Sequence, residues 1–479
     1  MSVKSMSAHD LPTRLNQWLA PLGATVPELF VVGGALRDHM AGRLPRDVDI
    51  ICDEAPNVAR CIAKARLSGA VVVKLEKKPH PPCFRVVDKN NPAESIDVVP
   101  LHPDGIRADL EARDFTVNAM AAALLPGGRI GEIIDPLGGM ADMRNRLLRA
   151  CSETAFTADP VRILRAARFA ATLDFTIFPE TLDQMAAAVG LLTRSAFERI
   201  TAELFELLAC PDALPHIQML DDIGALEVLF PEIAAMKGCA QNGFHHLDVW
   251  GHTLETLEHC ERLLRRPDVL FTKNAAAFCR SMAGKNRLPV IKLATLLHDA
   301  GKPGCKIFDE TKHRQVFYGH GREGETIAGN IAHRMKLSNS DTAFLQLLVR
   351  CHMRPMALSR PGVKPATITR WFETVADNGL ALLLLAAADT CAKSGSWTDP
   401  MEKERFCQWA DQTAADYCLR IRPVLGQTDL LSGADLQDMG MAPGPDMGRV
   451  LKTVRQHQND GRVTDKAAAL ALARQLAGL

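Results

Sequence analysis

Three aspartates and a pair of glycines have the types and the spacing that phosphate chemistry needs. In LFVVGGALRDHMAGRLPRDVDIIC, Leu29 to Cys52, a short apolar run leads into Gly33 and Gly34. Arg37 and Asp38 follow, and Asp47 and Asp49 flank Val48. Strand side chains alternate faces, so Asp47 and Asp49 point the same way. Two carboxylates on one face repel unless a cation lies between them, and hard oxygen ligands suit Mg²⁺, which keeps its waters and binds phosphates. The glycines let the backbone approach a phosphate without a Cβ clash, the next helix offers free N–H groups, and Arg37 adds a charged fork. A nucleoside triphosphate fits that combination. Asp97, flanked by apolar residues in Ser95-Ile96-Asp97-Val98-Val99, is a buried charge without a cation and so a candidate third carboxylate.

The elements that must position these groups can be read from the same residues. Leu29 to Val32 reads as a strand, the glycines as a turn, the residues around Arg37 as a short helix, and the Asp47–Asp49 segment as a second strand. Asn57 to Ala65 follows as a helix, Ala70 to Leu75 as a β-branched strand, Lys77 to Pro82 as a loop, and Cys83 to Val87 as another strand. From Cys151 the pattern turns helical, with few strands.

Composition bounds what the chain does. At 479 residues it suggests three or four domains, and 47% hydrophobic with 5% aromatic content indicates a largely helical globular protein. A formal net charge of zero excludes a global basic field, so contact with RNA relies on local Arg and Lys patches. The 13 cysteines are scattered and never in a C-x-x-C pair, which implies neither a disulfide framework nor a zinc ribbon; a cytoplasmic location is expected. The N-terminal residues have no apolar signal core, and the longest apolar run, Leu380 to Ala388, is too short for a membrane span.

Gly33-Gly34-Ala35-Leu36-Arg37-Asp38 followed by Asp47-Val48-Asp49 resembles, position for position, the GGxxRD and DxD motifs of the class II bacterial tRNA nucleotidyltransferase (CCA-adding) and poly(A) polymerase family of the DNA polymerase beta superfamily. The resemblance implies that Asp47 and Asp49 are catalytic Mg²⁺ ligands assisted by Asp97, and that Gly33, Gly34, Arg37 and Asp38 bind the nucleotide. Asp109 to Met120 resembles the motif RRDFTxNA, which implies nucleotide contacts from Arg113, Asp114 and Asn118. Asp114 also suits a helix cap. Ala112 stands where many relatives carry a second arginine. Asp135 to Asp142 is similar to DPxGGxxD, a turn and then a basic helix to Arg149 that closes the head. Asp159-Pro160-Val161-Arg162-Ile163-Leu164-Arg165 resembles EDxxRxxR, in which an Asp and an Arg read the Watson–Crick edge of the incoming base. That role falls here to Asp159 and Arg162, with Arg165 a phosphate or loop contact, although Ala158 replaces the motif's Glu. A carboxylate accepting from the exocyclic amine of C or A, beside a guanidinium donating to ring acceptors, rejects the reverse pattern of G and U. Ser195 to Leu208 resembles the family's S-x-E-R-I-x-x-E-L packing helix, with Glu198 and Arg199 in internal ion pairs.

His252, His298-Asp299, His320, His352 and Asp389 occur in the order H, HD, H, H, D, which resembles the HD superfamily of metal-dependent phosphohydrolases. It implies that these residues bind one or two ions, and His with carboxylate ligands suits Mn²⁺, Fe²⁺, Co²⁺ or Ni²⁺ better than Mg²⁺ alone. Lys302 is either a phosphate contact or a solvent-facing lysine. PGPxxGRxL around Gly444 to Leu451 is similar to a tail segment of the family; Arg449 and Lys452 there either grip RNA or sit beside a plain interhelical turn. The expected fold is α+β: a small polymerase-beta-like head with a mixed sheet (1–150), an all-α neck with the base-reading motif (151–235), an HD metal-dependent phosphohydrolase domain (236–400) and a helical body and tail for RNA (401–479). The expected activity is template-independent transfer of CMP or AMP from CTP or ATP to the 3′ end of tRNA, with hydrolysis of phosphoesters at the HD centre. Poly(A) polymerase activity shares every motif and is the alternative within the class. A non-catalytic RNA-binding protein is the alternative outside it, and the intact Asp47–Asp49 pair speaks against that. No membrane or protein partner is expected. The choice among CC, A and full CCA addition depends on the loop near residues 75 to 95.

Overall fold

The computed structural model describes residues 28–43, 48–65, 69–76, 82–91, 95–125, 129–284, 286–459 and 461–478; Asp47 and most of the Lys77 to Pro82 loop lie outside them. The chain forms two compact units, residues 1–210 with 215–229, and residues 211–214 with 230–479.

In the first unit a mixed sheet runs β1 (Phe30–Val32), β2 (Val48–Cys52), β3 (Ala70–Leu75), β4 (Cys83–Asp88), β5 (Ser95–Pro100), β6 (Ala121–Leu125) and β7 (Arg129–Ile134). Their spatial order is β3-β4-β5-β2-β1-β6-β7. β2 and β5 are parallel and the other neighbours antiparallel. Alternation divides the strands between two faces. Val31, Ile50, Val86, Ile96 and Val98 pack with Leu36, Val58 and Ile62 of the helices Gly34–Met40 and Ala55–Ala65. Phe30, Val32 and Ile51 pack on the opposite side with Leu110, Ala119 and Ala121.

Two local readings are corrected. The helix after Gly138 stops at Asn145, because Arg146 takes a left-handed φ of 54° and Leu147–Leu148 pairs with Thr176–Ile177, so it does not continue to Arg149. After Asp114, which suits a helix cap, the chain makes only the 3₁₀ turn Thr116–Asn118 and no α-helix. Beyond the sheet come the helices Arg162–Leu173 and Phe197–Ala209, and the ring of Phe115 holds the first of them through an edge contact of 5.9 Å to Phe169.

Among the described residues the second unit is helical apart from the small hairpin Ile307–Asp309 with Arg314–Val316. Its innermost helix, Asn378–Cys391, is buried from Gly379 to Thr390. That explains the apolar run: the helix is wrapped by Val249–Arg265, Asn339–Cys351 and Pro400–Asp416, so it needs no polar face. Among the described residues no single helix is long and apolar enough to cross a membrane. Glu261 and Lys292, 2.7 Å apart and each 3% exposed, form a buried ion pair in which Glu261 also accepts from the N–H of Ala213 and Leu214.

Candidate functional site

Parallel pairing of β2 with β5 sets Asp49 directly opposite Asp97. The strand neighbours of both, Val48, Ile50, Ile96 and Val98, belong to the helix-covered core, so the two carboxylates share the other face. The cation that Asp97 needs is Arg85, its register partner on β4. Arg85 Nε donates to Oδ1 at 2.7 Å and Nη2 to Oδ2 at 2.6 Å, a fork that fixes the carboxylate's plane. Gly33 has φ 70° and ψ −135°. A Cβ there would stand 2.9 Å from Arg113 Nη1 and 3.5 Å from Asp49 Oδ2. The guanidinium of Arg113 and the carboxylate of Asp49 therefore converge on the one residue that offers no side chain.

Five of the nucleotide-binding candidates are joined in an internal polar chain. Arg37 Nε and Nη2 donate to Asp38 at 2.9 and 2.8 Å and Nη1 to Asn118 at 2.7 Å. Asn118 donates to Asp114 Oδ1 at 3.1 Å, and Arg165 Nε to Asp114 Oδ2 at 2.5 Å. Glu203 closes the chain by accepting from Arg165 and Arg168. Burial pushes Asp114 up, but Arg165 with Asn118 and the Phe115 N–H outweighs it and holds the carboxyl below its ordinary value. The arginines of this helix are thus spent on partners in other elements. Arg162 donates to the carbonyls of Arg113 and Ala112 at 3.1 and 2.9 Å, and Arg199 Nη2 reaches Asp159 Oδ2 at 2.6 Å. A cavity of about 540 Å³ opens among Arg113, Asp114, Asp159, Arg162, Arg165 and Arg199, within the size range of small-ligand sites.

In the second unit His252, His298, Asp299, His320, His352 and Asp389 converge. His298, His320 and His352 each point Nδ1 at a backbone carbonyl, of Thr295, Phe317 and Val349, at 2.7–2.8 Å. Such bonds fix the tautomer and leave the Nε2 lone pair free for an ion. His320 Nε2 and His352 Nε2 face one another at 3.2 Å, and each lies 3.6 Å from Asp299 Oδ1. His252 Nε2 is 2.9 Å from Asp389 Oδ1. Burial, reinforced by the charge of His298, holds His352 down to about 3, and burial also lowers His252, so both are neutral donors near pH 7. Donor sets His252/His298/Asp299 and Asp299/His320/His352 each have ligand atoms within 4.8 Å of one another. The donor chemistry fits a divalent ion: buried imidazoles converge with two carboxylates, Asp299 and Asp389, that His298, Lys302 and Lys393 hold well below the ordinary carboxylate range against the pull of burial. Lys302 is buried rather than solvent-facing, 2.6 Å from Asp299 Oδ2, and Lys393 is 2.7 Å from Asp389 Oδ2.

Three family models match the chain: the poly A polymerase head domain over residues 29–149, the probable RNA and SrmB-binding site of polymerase A over 174–237, and the HD domain over 249–394. An A-adding tRNA nucleotidyltransferase of Deinococcus radiodurans is 34% identical over 463 residues, 95% of this chain and 97% of the relative. The chain belongs to the tRNA nucleotidyltransferase family. A CC-adding tRNA nucleotidyltransferase of Thermus thermophilus is 31% identical over 93% of each chain. The fold is also that of a Thermotoga maritima CCA-adding enzyme solved with tRNA, with a TM-score of 0.62 at 22% identity over 96% of this chain and 94% of that one.

Like its relatives, this tRNA nucleotidyltransferase is an enzyme with an α+β fold. Sequence reasoning missed Arg85, the pairing of Arg199 with Asp159, the burial of Lys302, and Lys393. Arg85 had only its place on a β-branched strand as a signal, and Lys393 only its position four residues after Asp389.

Proposed function

We propose that this enzyme transfers CMP, AMP or both from CTP and ATP to the 3′ hydroxyl of tRNA, making or repairing the CCA end in the cytoplasm. The observation that carries the reading is the side-by-side pair Asp49 and Asp97 beneath Gly33 and Arg113. The Deinococcus and Thermus relatives carry A-adding and CC-adding names, and solved neighbours of the same fold are complexes with ATP, CTP and tRNA. All the cysteines are free, as a reducing compartment leaves them.

Asp49 and Asp97, with Asp47, would hold Mg²⁺, which when bound neutralises triphosphate charge and favours the ionised 3′ oxygen. Arg85 fixes the plane of the Asp97 carboxylate through its two hydrogen bonds. Gly33 admits the triphosphate to the backbone, and Arg113 stands beside it as a phosphate contact. Asp159 and Arg162, at the cavity lined by Arg199, read the base. Arg37, Asp38, Asn118, Asp114 and Arg165 hold the two walls of that site to one another through their hydrogen-bonded chain, and Gly34 opens the helix that carries Arg37. Transfer forms the bond from the 3′ oxygen to the α-phosphorus and breaks the bond to pyrophosphate. Transcripts of tRNA ending before C, after C and after CC, each offered the four nucleotides singly, test this. Selective C or A incorporation is expected; comparable G or U incorporation refutes the base-reading assignment, and long A tails on other RNA mark a polymerase instead.

The HD centre is read as a phosphohydrolase acting on a 3′-terminal or cyclic phosphate of RNA. His252, His298, Asp299, His320, His352 and Asp389 would hold Mn²⁺, Fe²⁺, Co²⁺ or Ni²⁺, which supplies a water nucleophilic at neutral pH. Lys302 holds Asp299 in place. RNA ending in a 2′,3′-cyclic phosphate should be opened by the wild type and not by Asp299→Ala; equal rates refute the reading.

A further inference from the structure

We infer that His245 is an additional metal ligand of the HD centre, acting with His252 and Asp389. The inference rests on the metal reading of that centre. His245 lies outside the H, HD, H, H, D pattern, in the loop that enters the helix Val249–Arg265. Its ring stands edge-on to that of His252, with centroids 4.6 Å apart and planes at 86°. Both of its ring nitrogens are buried, and neither has a hydrogen-bond partner among the described residues. A buried imidazole with two unpartnered nitrogens is expensive unless something takes its lone pair.

The loop is built to hold that ring in place. Gly395 and Trp397 donate their N–H groups to the carbonyls of Phe244 and Gly243 at 3.1 and 2.9 Å, and Phe244 packs edge-on against Trp397. A Cβ on Gly395 would come within 2.2 Å of Gly243 O, and one on Gly243 within 2.4 Å of the Trp397 ring, so both glycines are there for close backbone approach. Asp248 caps the next helix by accepting from Gly251 N–H at 2.7 Å. These contacts leave His245 in fixed reach of His252 and Asp389, with ligand atoms of the three within 4.8 Å of one another.

His252 also belongs to the set with His298 and Asp299. One imidazole Nε2 has one lone pair and serves one ion, so the two sets merge around a single ion held by His245, His252, His298, Asp299 and Asp389. The other position, formed by Asp299, His320 and His352, then has fewer protein donors and keeps room for water and a phosphate oxygen. The centre is asymmetric: one ion is enclosed by protein and the other is open to substrate. A divalent transition ion is the class that three imidazoles with two carboxylates select.

The test uses the full chain, stripped with chelator and titrated with Co²⁺ by calorimetry and by its visible d–d absorption. His245→Gln should weaken one Co²⁺ site by at least about tenfold and change the d–d band. His246→Gln, the adjacent exposed histidine 3.5 Å from Glu255, should leave both unchanged. Unaltered Co²⁺ affinity and spectrum in folded His245→Gln overturns the proposal while leaving the HD metal reading intact; a wild type that takes up no Co²⁺ overturns both. Should His245→Gln fail to fold, hyperfine-shifted imidazole resonances of Co²⁺-loaded wild type decide the matter. A shifted set from His245, alongside those of His252, His298, His320 and His352, supports the assignment, and its absence refutes it.

Discussion

Replacing Gly33 by alanine should damage both the fold of the head and its chemistry, by amounts that can be worked out separately. The native φ of 70° with ψ −135° is a region that side chains with a Cβ rarely enter, and the strain costs about 1–3 kcal/mol. The new Cβ would also stand 2.9 Å from Arg113 Nη1. That guanidinium is the end of a flexible side chain, so it swings away at small cost to stability and leaves its place beside Asp49. Misplacement of a positioning group by about 1 Å can cost on the order of 10²-fold in rate. Gly34→Ala is the control, because its Cβ meets only the Arg37 guanidinium at 3.5 Å, an ordinary contact, and it lies in a helix where alanine is favoured. Hydrogen exchange of the β1 amides, read by mass spectrometry, reports local opening without requiring the two units to unfold together. In Gly33→Ala those amides should exchange roughly 5–150-fold faster, and kcat/KM for nucleotide incorporation should fall by about 10²-fold. If Gly33→Ala matched Gly34→Ala in both measurements, the convergence of Arg113 and Asp49 on this glycine would not be what positions the site.

Asp159→Ala should relax discrimination of C and A against G and U by about 1–3 kcal/mol, read as the ratio of single-nucleotide incorporation rates; an unchanged ratio contradicts the base-reading role. Lys292→Met strands the buried Glu261 carboxylate and should cost about 3 kcal/mol, at the low end of the usual range because two backbone N–H groups still serve Glu261; thermal unfolding of the second unit checks it. Arg165→Met removes the charge that keeps Asp114 below its ordinary pKa. A depressed folded pKa contributes stability above the unfolded carboxylate value, about 3.9, and that contribution is lost as pH falls. The wild type should therefore exceed Arg165→Met in melting temperature at pH 6, and the gap should narrow towards pH 3. A gap independent of pH refutes the Asp114–Arg165 account.

Much of the architecture was legible because it is written in local pattern. Alternation and β-branching marked the strands, and Gly33 with its positive φ sits where the turn was expected. What could not be read is set by pairing across long stretches of chain. Asp49 and Asp97 meet because β2 and β5 are parallel neighbours, a relation that no window of sequence contains. Arg85 as the partner of Asp97 follows from the same sheet order. Arg162, Arg165 and Arg168 recur every three residues, a spacing that says nothing of their partners, which are the Ala112 and Arg113 carbonyls, Asp114 and Glu203, all outside that helix. The helix expected to reach Arg149 ends early for a similar reason, since Leu147–Leu148 is claimed by Thr176–Ile177. At the HD centre the motif histidines were visible as an ordered series, but His245 belongs to a loop whose shape depends on Gly395 and Trp397, residues 150 positions further along.

Lys302 against Asp299 and Lys393 against Asp389 give each buried carboxylate of the HD centre its own counter-charge within the chain. In small zinc domains the metal's binding energy is the folding energy, and removing the ion unfolds the protein. Here the charge balance of the bundle is complete without an ion, and the surrounding helices bury a large apolar core. On the proposed metal reading of the centre, loading of a divalent ion and folding are therefore separate events, and a centre left empty would cost the chain its ion without costing it the fold.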